Sequence, residues 1–194
     1  MSFIHAFYGR IDSMIGDIQP AENKMRKESL AGRILLKKGL DALYGLSLPE
    51  GFEGILELEK MITKGKNGKL YLEKYPGIYF NISHSGEYAV CVLADMEVGV
   101  DIQMKKPLKN DRLLRRTMDE KQQEAVKNAV DSAMKFADFW AQKESYLKWT
   151  GEGITVNLAG LSMEDACMEK LEIREDYAGW VCAGEPFKLK TIHL

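Results

Sequence analysis

The chain is poor in the residues that build covalent frameworks and transition-metal sites. It holds three cysteines in 194 residues, Cys91, Cys167 and Cys182, and none forms a Cys-x-x-Cys pair. An odd count without a secretory signal argues against a disulfide framework and predicts buried free thiols in a cytoplasmic protein. The three histidines, His5, His84 and His193, show no zinc spacing. Net charge is only -2, so a general nucleic-acid-binding surface is not expected. No apolar stretch reaches about 18 residues, and no membrane span is expected. Met1-Ser2-Phe3-Ile4-His5 lacks the basic-then-apolar pattern of a leader. Repeats and low-complexity segments are missing too. So is a Gly-x-Ser-x-Gly elbow. Without it Ser83-His84-Ser85 makes a poor hydrolase site, since neighbours on a strand point opposite ways. Gly151-Glu152-Gly153 is too short for a dinucleotide fingerprint.

Against these absences stand 45% hydrophobic and 29% charged residues, the composition of a packed core in one large domain or two small ones. Phe3 to Tyr8 reads as a strand. From Asn23 to Tyr44, Leu30, Ile34, Leu35, Leu40 and Leu43 recur at helical spacing, and Gly45 stops the helix. Its Lys24, Arg26, Lys27, Arg33, Lys37 and Lys38 read as a solvated face. Gly51 to Gly54 reads as a loop and Ile55 to Ile62 as a strand. Lys64 to Lys69 is a Gly- and Lys-rich turn, with Asn67-Gly68 as a hairpin signal. It is a plain turn or a backbone suited to phosphate. Further strands are predicted at 70–72, 79–82, 88–94 and 98–103, the third covered on both faces. A boundary is expected near 105. Lys105, Lys106, Lys109, Arg112, Arg115 and Arg116 then form a basic stretch, either a solvated linker and helix start or a docking surface for something acidic. Helices are predicted at 119–130 and 133–149, the second capped by Asp131-Ser132 and closed by Gly151 and Gly153. Strands near 169–174, 178–183 and 187–192 follow, with Gly179-Trp180 as a turn into the second.

Two patterns carry chemistry. In the strand at 98–103, Val98, Val100 and Ile102 face one way, while Gly99, Asp101 and Gln103 face the other. Asp101 therefore needs a cation, a metal or several donors. In the long helix Trp140, Glu144 and Lys148 lie along one side, and Glu144–Lys148 has the favoured order for an intrahelical ion pair.

Three segments, Phe80-Asn81-Ile82-Ser83-His84-Ser85, Val98-Gly99-Val100-Asp101-Ile102 and Trp140-Ala141-Gln142-Lys143-Glu144-Ser145-Tyr146-Leu147-Lys148, occur in an order and spacing that closely resemble the phosphopantetheinyl transferases of the surfactin-synthetase-activating type. The match spans about 65–154, and Ser29 to Arg33 is similar to the family's N-terminal helix. The resemblance implies an α+β fold of two similar halves, 1–105 and 106–194, packed as a pseudodimeric monomer. It implies transfer of the phosphopantetheine arm of coenzyme A to a serine of an acyl or peptidyl carrier protein, with Mg²⁺, releasing adenosine bisphosphate. By position Asp101, Gln103 and Glu144 would hold the metal. Glu144 is the implied general base, and Lys148, with Asp101, completes the catalytic set. Arg33, Lys69, Ser83, His84 and Lys148 would contact the coenzyme. Two positions depart from the family pattern. Leu70 follows Gly68-Lys69 where the family has Pro, and Gln103 stands where the family has Glu. The neutral Gln103 leaves room for an alternative, a non-catalytic homologue that binds coenzyme A or a carrier protein.

Overall fold

The computed structural model describes residues 2–18, 25–108, 111–153 and 157–194. Lys24 and Lys109 of the basic stretches lie outside them. In chain order the elements are β1 (Ser2–Arg10), α1 (Ile11–Ile15), α2 (Lys27–Tyr44), α3 (Gly51–Met61), β2 (Ile62–Lys64), β3 (Leu70–Leu72), β4 (Tyr79–Ser85), β5 (Tyr88–Ala94), β6 (Val98–Met104), α4 (Asp111–Thr117), α5 (Glu120–Lys127), α6 (Ser132–Thr150), β7 (Cys167–Lys170), β8 (Tyr177–Ala183) and β9 (Phe187–His193). They form a mixed α+β fold. One sheet has the order β4-β5-β1-β9, another β6-β8-β7, and β2 and β3 make a hairpin.

The layers follow from which faces are apolar. One face of the larger sheet, with Phe7, Phe80, Cys91 and Leu93, packs on Leu30, Leu35 and Leu40 of α2. Its other face, with Ile4, Ala6, Val90 and Val92, packs on Val98, Val100, Ile102 and Val181 of the smaller sheet. α6 covers that sheet's outer face through Ala137, Ala141 and Leu147. The order is helix, sheet, sheet, helix. Every residue of β5 is buried, as its unbroken apolar run predicts. Two strands lie across the expected division at 105. β6 precedes it and pairs antiparallel with β8, while β9 follows it and pairs parallel with β1.

Three local expectations are corrected. Residues 51–61 are helix α3, not a loop and a strand. Ile55 and Leu58 are its buried positions, at helical spacing, and Glu, Leu and Lys are strong helix formers. Gly54 is there for packing, since a Cβ would lie 1.9 Å from the carbonyl oxygen of Pro49. Gly179 and Trp180 lie inside β8, opposite Ile102 and Asp101. The strand expected near 169–174 runs from Cys167 to Lys170. Capping is as predicted for α6: Asp131 accepts from the Met134 amide at 2.9 Å, and Gly151 closes the helix in the left-handed conformation. All three cysteines are free, with Cys91 and Cys182 buried. Among the described residues no helix is long and apolar enough to cross a membrane.

Candidate functional site

The site begins at a missing side chain. A Cβ on Gly99 would lie 2.1 Å from the carbonyl oxygen of Ser145 and 2.3 Å from the amide of Trp149. Gly99 therefore lets α6 lie directly on β6. Asp101, two residues along the same face, comes under the helix side that carries Lys148 and Glu144.

The expected intrahelical pair gives way to a tertiary one. Lys148 Nζ reaches across to Asp101 Oδ1 at 2.7 Å. The same oxygen accepts a hydrogen bond from Ser83 Oγ at 2.7 Å. Ser83 is buried, and its hydroxyl oxygen also accepts from the Ile102 amide at 3.3 Å. Its neighbours on that face of β4 act alike. Asn81 Oδ1 accepts from the Val100 amide at 3.1 Å, and Ser85 Oγ from the Met104 amide at 3.0 Å. These three side chains stitch β4, the edge of one sheet, to β6, the edge of the other, without a backbone ladder.

Glu144 is different. Its Oε1 is buried and has no hydrogen-bond partner. Burial, and then the charge of Asp101, push its carboxyl above the usual glutamate value, while Lys148 works the other way. Glu144 and Lys148 line a cavity of about 260 Å³ together with Lys69, Asn81, Gly151 and Gly153. The Gly-Lys turn is fastened to this end of α6. Asn67 donates to the carbonyls of Gly151 and Glu152, each at 2.9 Å. Lys69 donates to the Trp149 carbonyl at 2.5 Å and pairs with Glu97.

The remaining expected site residues lie around this centre. Arg33 is paired with Glu59 between α2 and α3 and does not line the cavity. His84 is exposed on the opposite face of β4 from Ser83. Its pKa is lowered by desolvation; Glu28 and Asp101 oppose this, and Lys148 and Arg26 reinforce it. Gln103 shares the Asp101 face of β6, but its amide donates to the Met104 carbonyl at 3.0 Å and lines a second groove with Phe136 and Trp140. Lys143 is 1% exposed and donates to the Leu158 carbonyl at 2.6 Å. It thus anchors the turn after α6, and its burial lowers its pKa. Sequence reasoning read Asn67 only as a hairpin signal and Asn81 and Ser85 only as parts of a motif, and it gave no role to Glu97. The alternation of Asn81, Ser83 and Ser85 was the signal for Asn81 and Ser85.

Among the described residues no three His, Cys, Asp or Glu side chains form a metal-binding group. Asp101 and Glu144 are two, and the unpartnered Glu144 oxygen fits a hard divalent cation whose other ligands are oxygens of a bound anion. A carboxylate pair, two lysines and a cavity between β4, α6 and the Gly-Lys turn make a site suited to a phosphorylated ligand in a transfer reaction. A sequence model of the 4'-phosphopantetheinyl transferase superfamily matches residues 97–189. The chain is 30% identical over 141 residues to 4'-phosphopantetheinyl transferase psf-1 of Bacillus pumilus, covering 70% of this chain and 55% of that one. It is 28% identical over 176 residues to a 4'-phosphopantetheinyl transferase of Bacillus subtilis, covering 81% and 74%. To 4'-phosphopantetheinyl transferase Sfp of Bacillus subtilis (strain 168) it is 30% identical over 99 residues, covering 50% and 43%. Residues 97–189 thus match the 4'-phosphopantetheinyl transferase superfamily, and the chain as a whole is similar to its Sfp-like members. It spans about half the length of the first and third of these relatives.

Proposed function

We propose that this protein transfers the phosphopantetheine arm of coenzyme A to a serine of an apo acyl or peptidyl carrier protein, releasing adenosine bisphosphate. The observation that carries this reading is the buried, unpartnered oxygen of Glu144 beside Asp101 at a cavity bearing Lys69 and Lys148. Glu144 is the general base. Burial makes its carboxylate a stronger proton acceptor than an ordinary glutamate, and the incoming serine hydroxyl supplies the donor that Oε1 lacks. Lys148 stabilises the leaving phosphate by charge, and Lys69 adds positive potential at the cavity edge. Ser83 acts through Asp101, fixing the carboxylate by a hydrogen bond. His84 and Arg33 are assigned to the coenzyme's outer phosphates; for His84 this is supported by Arg26 and Lys148 nearby. Asp101 and Glu144 would hold Mg²⁺, with Gln103 offering a neutral carbonyl at most. Bound there, the ion would neutralise diphosphate oxygens.

The exposed arginines of α4, Arg112 and Arg115, are proposed to dock the acidic face of the carrier. The helix–sheet–sheet–helix layering supports a pseudodimeric monomer divided near 105, with β6 and β9 exchanged between its halves. The buried thiols support a cytoplasmic location. The test is incubation of the purified protein with coenzyme A, Mg²⁺ and a panel of apo carrier proteins, read by intact mass. A phosphopantetheine mass increment on a carrier serine is expected. Coenzyme binding without an increment on any carrier would replace this reading with the non-catalytic one.

A further inference from the structure

We infer that Lys148 is a built-in counter-cation, which neutralises Asp101 in the free protein and exchanges that carboxylate for the diphosphate of coenzyme A, making metal and coenzyme binding interdependent. The inference rests on the function proposed above. Its basis is the occupancy of one oxygen atom. Asp101 Oδ1 already receives two donors, Lys148 Nζ and Ser83 Oγ, each at 2.7 Å. With Lys148 in place, the two carboxylates of the site present only one net negative charge to a cation. The two cavity lysines are not equivalent in this respect. The Lys69 side chain is 6% exposed and is held by Glu97 and by the Trp149 carbonyl at the end of α6. The Lys148 side chain is 28% exposed and has Asp101 as its carboxylate partner. Lys148 can therefore turn toward the cavity, whereas Lys69 is anchored in its wall.

A diphosphate in the cavity offers Nζ anionic oxygens in place of Oδ1. Once Lys148 turns to them, Asp101 regains its full charge and faces Glu144 as a second free carboxylate. Each ligand then binds more tightly in the presence of the other, by the same factor. Ser83 stays on Oδ1 throughout and keeps the carboxylate oriented.

The experiment is a titration of Mn²⁺ into the full chain, with free ion followed by electron paramagnetic resonance, with and without coenzyme A. No carrier is present, so nothing turns over. Wild-type protein should bind Mn²⁺ weakly alone and about 5- to 150-fold more tightly with saturating coenzyme A. Lys148→Met should bind Mn²⁺ about tenfold more tightly than wild type in the absence of coenzyme, and should show reduced coupling. Lys148→Gln provides a second variant should Lys148→Met fold poorly, with thermal melting as the check. The inference is overturned if folded Lys148 variants bind Mn²⁺ alone no more tightly than wild type. It is likewise overturned, with transfer to the carrier intact, if wild type binds the two ligands independently. If wild type binds neither, the proposed function falls together with it.

Discussion

The strand wall and the helix wall of the site treat their carboxylates in opposite ways. On the strand wall Asp101 has Ser83 and Lys148 on one oxygen and is fixed in place. On the helix wall Glu144 keeps a buried oxygen without a partner. Leaving such a group unsatisfied costs about 1–3 kcal/mol, a large share of a typical folding free energy of about 5–15 kcal/mol. The difference separates two jobs. A satisfied acid holds its position and charge. An unsatisfied one is poised to accept a proton or a cation, and the fold carries the cost until a ligand arrives.

The largest test of this contrast is Glu144→Gln. Transfer should fall by about 10²- to 10³-fold or more, because the amide is no base and a poor ligand for a hard cation. Thermal stability should hold or rise, since a buried charge is removed. A variant with near wild-type turnover would take the helix wall out of the chemistry. Asp101→Ala should give the opposite signature in stability. It strands Lys148 and Ser83, and urea unfolding should report a loss of about 1–3 kcal/mol. If both substitutions changed stability alike, the two walls would not differ as described.

The contrast also predicts a pH dependence. Glu144 binds its proton more tightly in the folded protein than in the unfolded chain. Its contribution to stability is complete below the ordinary value of 4.5 and is lost as pH rises through the raised one. Glu144→Gln stays neutral throughout. The Tm difference, variant minus wild type, should therefore grow from about pH 4.5 toward neutrality in metal-free buffer. A difference that did not change with pH would mean that the Glu144 carboxyl is not perturbed by folding. The smallest expected effect is that of Gln103→Glu. It adds a charge to the strand wall, and Mg²⁺ affinity of the free protein should rise by only about a few-fold, because residue 103 also lines the neighbouring groove. Unchanged affinity in a calorimetric titration would exclude residue 103 from the metal site.

Features set by nearest neighbours in the chain were legible in the sequence. The alternation around Asp101, the Asp131 cap, the Gly151 stop and the spacing of Glu144 and Lys148 are local patterns, and the structure has them. The partners of the charged groups were not legible. Whether Lys148 pairs with Glu144 four residues back or with Asp101 depends on how closely α6 lies on β6, and Gly99 sets that distance by what it lacks. The hydrogen bond from Ser83 to Asp101 is visible only once β4 is placed beside β6. The partners of Lys69, Glu97 and the carbonyl of Trp149 at the end of α6, are both far from it in sequence. α3 was misread because a short apolar run without its neighbours fits either period.

The seam between β4 and β6 makes the two strands unequal in what they can tolerate. Asn81, Ser83 and Ser85 contribute side-chain acceptors, whereas Val100, Ile102 and Met104 contribute only main-chain donors. Every residue except proline has that donor. At the seam, then, the chemical alphabet of β6 is nearly unrestricted, and only packing limits it. That of β4 is confined to short side chains ending in an oxygen. A saturation scan of both strands would see the joint as a one-sided contract: at positions 100, 102 and 104 any residue that packs keeps the bond, while positions 81, 83 and 85 must carry the acceptor.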